Sequence, residues 1–406
     1  MRKGIEVSEA IKLLLDTPVK PLSETVPIEA ALRRVSSEDI RAKIPFPPFD
    51  RSPFDGYAFR GEDTTAASDG NPVTLSVGQE IPAGQTPKKT VEPGFAAKIL
   101  TGAPIPPGAN AVIKFEETEF TKDSVTIFKS VTPGTNILRA GEDIKVGEMI
   151  LPKGQKVSPA SIGLLAAQGM AAVNVFKKPV ITVINTGSEL AELGRPLPPG
   201  MIYNSSMFTL QGFLDQMGTV FCDGGIAPDD EDVIAARVQE ALDSSDMVIT
   251  TGGASVGDYD CAVAAAQRAG GDILFWKIKM RPGGALLVYR LGDKLVLSLS
   301  GNPGAAVLGL LLIGLPYIKK LSGLSDVMPE ECTVLLKTDL KKGTPRTRIM
   351  RGSLEIVDGS AVFAENQGQG GGDISSLVTC DLLAEIPAGS PPLPAGTRIK
   401  AYRLFK

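Results

Sequence analysis

From residue 177 to about residue 324 the chain alternates short apolar runs with amphipathic stretches, strand after helix. VITVI, TVFCD, MVITT, ILFWKIKM, ALLVYR and LVLSLS read as strands, rich in β-branched residues and bounded by Gly, Asp and Asn turns. Helical segments follow Asn204, Asp229, Asp260 and Pro303. That order requires a mostly parallel sheet covered on both faces. Ligands of such sheets bind beyond the C-terminal ends of the strands, so chemistry is expected in the turns after VITVI, MVITT and LVLSLS.

Each of those turns is polar. In DMVITTGGASVGDYD, residues 246–260, Thr250 and Thr251 close an apolar run that Gly252 and Gly253 break, and Ser255, Asp258 and Asp260 lead into a helix. A strand, a glycine turn and a helix N-terminus can hold an anion, and a carboxylate there can recruit a divalent cation; a plain turn with a capping aspartate fits the same residues. NTGSEL offers the backbone N–H groups of Thr186 and Gly187 and the carboxylate of Glu189. SGNPG offers Ser300, Gly301, Asn302 as a natural N-cap and Pro303 as a first helical residue. Asp229 is placed either to cap the next helix or to serve the same sheet edge. Along FWKIKMRPGG, an uninterrupted strand puts Lys277, Lys279 and Arg281 on one face, opposite Trp276, Ile278 and Met280. That face is either a solvated basic surface or a cationic comb for phosphate or another oxyanion.

The flanking segments differ in texture. Residues 1–43 read as helical, with Ile11, Leu14 and Leu15 at helical spacing, Ser8 as a cap and a second periodic patch from Ile28 to Val35. Prolines in IPFPPFDRSPFDGYAF mark a boundary, and residues 44–141 read as a β-rich insert with runs at Val73–Val77, Ala111–Phe115 and Ser124–Phe128. Helical texture returns at Ser158 and Pro159 and ends near Gly169. The expected organisation is therefore α/β plus β and multidomain: residues 1–43 and 142–176 as a discontinuous helical/mixed domain, 44–141 as the insert, 177–324 as the α/β domain and 325–406 as a C-terminal small β domain. Asp55 of SPFDGYAF and Thr101 of LTGAPIPPG stand in glycine and proline loops, where turn chemistry alone accounts for both.

Composition narrows the chemistry. The 406 residues include no histidine, which removes Ser/His and Cys/His triads and His-ligated metals and leaves acid, base and metal work to Asp, Glu and Lys. A net charge of −4 and a pI near 5.3 give no support to nucleic-acid or anionic-membrane binding. Cys222, Cys261, Cys332 and Cys380 form no C-x-x-C, so a reducing cytoplasm is expected. The N-terminus lacks a signal-peptide core, and the apolar run Ala305–Leu315 reads as too short and glycine-interrupted to span a bilayer.

Taken together, SPFDGYA, TGAPIPPGANAV, INTGSEL, YNSS, APDD, TTGGASVGDYD, FWKIKMRPG, SGNPGAA, the Arg351-Gly352 pair and GQGGGDISSL resemble, in order and almost end to end, the molybdopterin molybdenumtransferase family. These are the molybdenum-insertion enzymes of cofactor biosynthesis, and the E domain of gephyrin is among them. The resemblance implies a four-domain fold with a molybdopterin-binding α/β domain and a C-terminal β-barrel-like domain. It implies an elongated homodimer whose cleft is shared between the insert of one subunit and the α/β and C-terminal domains of the other. It further implies adenylylated molybdopterin and molybdate as substrates, Mg²⁺ or a similar divalent cation as cofactor, and AMP as the leaving product.

By motif, Asp55, Thr101, Glu189, Asp229, Asp260, Lys277, Arg281 and Arg351 fall at the family's functional positions. Charge assigns Asp229 and Asp260 to the cation and the phosphate linkage, Lys277, Arg281 and Arg351 to phosphate or molybdate oxygens, and Glu189 to substrate positioning or a proton transfer. Thr186, Gly187, Thr250, Gly252, Gly253, Ser255, Lys279, Ser300, Gly301, Asn302 and Pro303 are expected around the substrate. Three stretches depart from the family: Arg281-Pro282-Gly283-Gly284-Ala285 stands for K-P-G-K-P, Gly371 for a serine, and Ser300 for the proline before Gly301. Alternatives left open are a pterin-holding scaffold without turnover, a tungstate-using variant, and the upstream adenylylation step, against which the extra β domains argue.

Overall fold

The computed structural model describes residues 2–253 and 261–404. They gather into two compact units, one of Met1–Glu38, Lys153–Ser158 and Ala172–Lys406 and one of Asp39–Pro152 and Pro159–Ala171.

A seven-stranded sheet organises the first unit. Its strands are β1 (Arg2–Ile5), β2 (Val180–Thr186), β3 (Val220–Ala227), β4 (Met247–Thr251), β5 (Asp272–Ile278), β6 (Leu287–Leu291) and β7 (Lys294–Leu299), in the order β1-β5-β6-β7-β4-β2-β3. Every ladder is parallel except those of β6. β6 runs backwards because it joins β7 through the two-residue turn Gly292-Asp293, and Gly292 supplies the positive φ that such hairpins need. All five residues of β4 are buried, which is why MVITT is apolar without alternation.

Five helices cover the sheet: α1 (Val7–Asp16), α2 (Ser205–Met217), α3 (Glu231–Ser244), α4 (Cys261–Arg268) and α5 (Pro303–Leu321), the last with a π-helical turn at Leu310–Gly314. α1, α2 and α5 bury Leu14, Leu210, Leu214 and Leu311 in one core with Phe275 and Leu297 of the sheet. α3 and α4 bury Val238 and Ala265 against Val248 and Leu287 on the opposite face. The apolar run Ala305–Leu315 thus belongs to a longer helix than the sequence predicts. At 19 residues α5 is long and apolar enough to cross a membrane, yet 83% of its apolar 18-residue stretch is buried.

The N-terminal segment departs from its helical expectation. Arg2–Ile5 is an edge strand parallel to β5, Ser23–Pro27 pairs with Ala172–Phe176, and only α1 is a full helix. The Ile28–Val35 patch makes one 3₁₀ turn, at Ile28–Ala30, because Arg33 takes φ 64° and Val35 and Ser36 bridge to Lys156 and Val175. Ser8 lies inside α1, whose N-cap is Glu6 with no side-chain capping bond. Where β1 ends at Ile5 sets where the helix can start.

The C-terminal part of this unit is a closed five-stranded barrel of β8 (Glu331–Leu336), β9 (Thr347–Val357), β10 (Ser360–Glu365), β11 (Leu382–Ile386) and β12 (Arg398–Arg403). The ring runs β9-β10-β8-β12-β11 and closes by pairing β11 with β9. The two-residue strand Met280–Arg281 pairs with β9 and ties the barrel to the end of β5.

The second unit is a six-stranded sheet in the order Ala111–Lys114, Gly56–Phe59, Phe95–Ile99, Val73–Ile81, Ser124–Ile127 and Thr118–Phe120. It also holds the helix Pro159–Ala167. Tyr57, Phe59, Ile113 and Val125 fill its core.

Candidate active site

Three parallel strands deliver their C-terminal turns to one edge of the large sheet. The N–H of Gly252, just past β4, donates to Leu299 O at the end of β7 at 3.2 Å. The N–H of Gly187, just past β2, donates to Ala227 O at the end of β3 at 3.2 Å. Gly252 must be glycine: its φ is 99°, and a Cβ there would sit 2.4 Å from both the carbonyl oxygen and the Oγ1 of Thr186. A Cβ on Gly301 would lie 3.3 Å from Gly252 Cα, so the turns after β4 and β7 also touch. Side chains lock this edge from below: Asn204 Nδ2 donates to Asn185 Oδ1 at 3.3 Å and Asn185 Nδ2 to Thr251 Oγ1 at 2.5 Å, all three residues being buried.

Within this edge the expected residues divide by availability. Thr250 is buried and its hydroxyl donates to Ser298 Oγ at 2.8 Å, which leaves only its main chain near the edge. Thr186 is also buried, but its Oγ1 has no hydrogen-bond partner. The exposed Glu189 folds back so that a Cβ on Gly187 would lie 2.5 Å from its Oε2. Gly253 takes φ 65° beside the start of α4. Asp229 is exposed and is not the cap of α3; Asp230 is, its Oδ1 accepting from the N–H groups of Asp232 and Val233 at 3.0 Å each. Asn302 and Pro303 do begin α5, yet the Asn302 side chain makes no capping bond, and Ser300 Oγ accepts from Asn302 N at 3.3 Å instead. Ser255 and Asp260 lie outside the described residues.

The comb of cations does not form. β5 ends at Ile278, and Lys277 takes φ 63°, which breaks the two-residue alternation on which the comb depends. Its Nζ turns over the Trp276 ring, 4.1 Å from the centroid. Lys279 pairs with Glu6 at 2.7 Å. Arg281 is exposed and lines a cleft of about 580 Å³ whose lining also includes Lys342, Arg346, Arg348 and Gln369. Arg348 is paired with Glu365 at 3.2 Å, whereas among the described residues Arg281, Lys342 and Arg346 have no ion-pair partner. The barrel's contribution is not among the expected residues, although the run KKGTPRTR at residues 341–348 is as basic as FWKIKMR.

Gly283 closes the gap between this cleft and α5: a Cβ on it would lie 3.1 Å from Ala305 O. Gly371 O accepts from Ala305 N at 2.8 Å, which sets the 368–373 loop against the same helix. Arg351 holds that loop. Its side chain is fully buried, Nη1 donating to Asp373 O at 2.7 Å and Nη2 to Gly370 O at 2.8 Å, while Nε has no partner. Burial pulls its pKa below the ordinary arginine value, against the attraction of Asp373.

The second unit brings together Asp55 and Thr101. Asp55 Oδ1 accepts from the Thr101 N–H at 2.7 Å and from its hydroxyl at 2.8 Å, and both residues are exposed. These two bonds hold the Asp55 carboxyl below its ordinary pKa. The next residue has to be glycine, since a Cβ on Gly56 would come within 1.9 Å of Ile113 O.

Residues 5–169 match the MoeA N-terminal region (domain I and II), 182–320 a probable molybdopterin binding domain, and 333–404 the MoeA C-terminal region (domain IV). The molybdopterin molybdenumtransferase of Staphylococcus aureus strain COL is 35% identical over 395 residues, which cover 97% of this chain and 94% of the relative. The chain belongs to the molybdopterin molybdenumtransferase family. A Staphylococcus epidermidis molybdopterin molybdenumtransferase is 34% identical over the same span. The crystal structure of the molybdopterin biosynthesis moeA protein from Pyrococcus horikoshii OT3 superposes with a TM-score of 0.84 at 32% identity, covering 99% of this chain and 100% of that one.

Two departures from the family pattern now have a structural meaning. Gly284 is more than a lost lysine: a Cβ there would lie 2.2 Å from Met280 O and 2.6 Å from Ile278 O, so this backbone admits no side chain. Gly371 is different, because its nearest neighbours, Ala305 Cβ and Asn302 Cβ, lie at 3.5 and 3.7 Å and would accept a serine.

Proposed function

We propose that this transferase of molybdenum cofactor biosynthesis inserts molybdate into adenylylated molybdopterin and releases AMP. The observation that carries the reading is the basic cleft. Arg281, Lys342 and Arg346, without acidic partners among the described residues, line a cleft of about 580 Å³ between the segment after β5 and the barrel. A multiply anionic, nucleotide-activated substrate suits that cleft, with guanidinium forks on its phosphates. The Thr186 hydroxyl, buried at the edge without a hydrogen-bond partner, suits a tetrahedral oxyanion such as molybdate. Positioning and charge neutralisation suffice to break a phosphoanhydride, so the lack of histidine is no obstacle.

Mg²⁺ fits the residues present in one mode only. Among the described residues no cluster of three carboxylate, thiol or imidazole groups could cage an ion. Asp229 is an exposed carboxylate spared from capping, and Mg²⁺ commonly takes one or two carboxylates with substrate phosphates completing its shell. Asp229 would hold it, with Asp260 as the second ligand by motif; the ion would supply charge neutralisation at the phosphate linkage. We assign Arg351 a positioning role, through the 370–373 loop, and Glu189 the placement of substrate. The remainder of the proposal is a cytoplasmic homodimer in which the exposed Asp55 and Thr101 of the insert serve the partner subunit's cleft.

The decisive measurement supplies adenylylated molybdopterin, molybdate and Mg²⁺ and follows AMP and pterin-bound molybdenum. AMP release that requires molybdate is expected. Tight pterin binding without molybdate-dependent AMP release would establish a scaffold instead, and equal turnover with tungstate would broaden the oxyanion.

A further inference from the structure

β1 carries a lysine to the basic end of the sheet that no motif marks. Lys3 lies opposite Trp276 in the parallel β1–β5 ladder, and its Nζ stands 4.2 Å from the centroid of the Trp276 ring. Lys277 Nζ stands 4.1 Å from the same centroid. One indole therefore seats two ammonium groups. The carboxylates of this corner are already engaged, Glu6 with Lys279 at 2.7 Å and Glu9 with Arg2 at 2.6 Å, and no ion pair among the described residues includes Lys3 or Lys277.

This arrangement is poorly satisfied by the protein alone. An exposed cation over an indole gains only about 0.5–1 kcal/mol, and two like charges on one ring repel. Lys277 reaches the ring through φ 63°, a conformation that costs a non-glycine residue free energy and persists where the surroundings impose it. The indole itself is fixed, because Trp276 packs on the core beneath α3 and α4. Its Nε1 is buried without an acceptor. A contact between an ammonium and a phosphate or molybdate oxygen is worth more than either cation–π contact.

We infer that Lys3 is a substrate-positioning residue: with Lys277 it forms a paired-cation seat on Trp276 that takes the oxyanion of the substrate, so that the N-terminal strand is part of the site. The inference rests on the reading of Lys277 as an oxyanion contact. The ring holds both ammonium groups in the empty site and releases them when an oxyanion arrives.

Trp276 is the chain's only tryptophan, so its emission reports the seat directly. The full chain is titrated separately with inorganic pyrophosphate and with molybdate. A saturable emission change is expected in the wild type, with half-saturation raised about tenfold in Lys3→Met, close to wild type in Lys3→Arg, and the response abolished in Lys277→Met. Whichever anion shows the Lys3 dependence is the one the seat takes. If Lys3→Met, with an unchanged denaturation midpoint, titrates like the wild type while Lys277→Met loses the response, Lys3 plays no part. If Lys277→Met titrates like the wild type, or the wild type shows no saturable change, the reading of Lys277 fails and the inference with it. In turnover, Lys3→Met should raise KM for the adenylylated substrate and leave kcat unchanged; a fall in kcat with KM unchanged would also overturn the assignment.

Discussion

Asp55 and Arg351 are both polar residues marked by motif, and they stand in opposite environments. Asp55 is exposed, held by two bonds from Thr101 to its Oδ1, which leave its second carboxylate oxygen without a hydrogen bond among the described residues. Arg351 has no exposed surface, and both terminal nitrogens are spent on the carbonyls of Gly370 and Asp373. A residue with free polar atoms in the open can meet a ligand, whereas a buried one whose donors end on loop carbonyls gives the site its shape. Motif position does not distinguish these two jobs. Partner accounting does.

The largest expected effect tests the buried side of this contrast. Arg351→Met removes two charge-assisted bonds, leaving Gly370 O only the Asp373 N–H at 3.3 Å, a loss of about 3 kcal/mol, read as a lower midpoint in urea denaturation. Arg351→Lys should recover little, because one ammonium cannot reproduce a fork aimed at two carbonyls. A midpoint equal to wild type in Arg351→Met would place the guanidinium among the ligand contacts instead.

Asp55→Ala should do the reverse. The denaturation midpoint stays at the wild-type value, while molybdate-dependent AMP release falls roughly a hundredfold, the scale of losing one positioned polar group. A variant that unfolds more readily yet turns over normally would make Asp55 a loop-holding residue, and the contrast with Arg351 would collapse.

How much of this was legible in the sequence follows from where each signal comes from. The sheet could be read because its central strands are buried on both faces, so their burial is written locally as unbroken β-branched runs such as MVITT. β1 could not be read: RKGI has two cations in four residues and becomes a strand only by pairing with β5, supplied from the far side of the chain. The cationic comb failed for a related reason, since period-two reasoning presumes an unbroken strand and one αL residue at Lys277 undoes it. Between the adjacent Asp229 and Asp230, the phase of α3 chooses the cap, and the sequence does not carry that phase. The family resemblance named Arg351, but not its burial, because its partners are backbone atoms of a glycine loop that any sequence could supply.

The smallest expected effect sharpens the exposed side. The backbone and hydroxyl bonds from Thr101 stabilise the ionised Asp55 carboxylate and lower its pKa. A depressed pKa keeps the carboxylate charged as pH falls, and the charge is lost only when pH drops through that lowered value. Thr101→Val deletes the hydroxyl bond and keeps the backbone one, so the Asp55 pKa should rise part of the way back. If the reaction needs ionised Asp55, the acid limb of kcat/KM moves to higher pH in Thr101→Val while the plateau at neutral pH changes little. A limb that stays in place, with the plateau lowered, would mean that the Thr101 hydroxyl itself meets the substrate and that Asp55 serves to aim it.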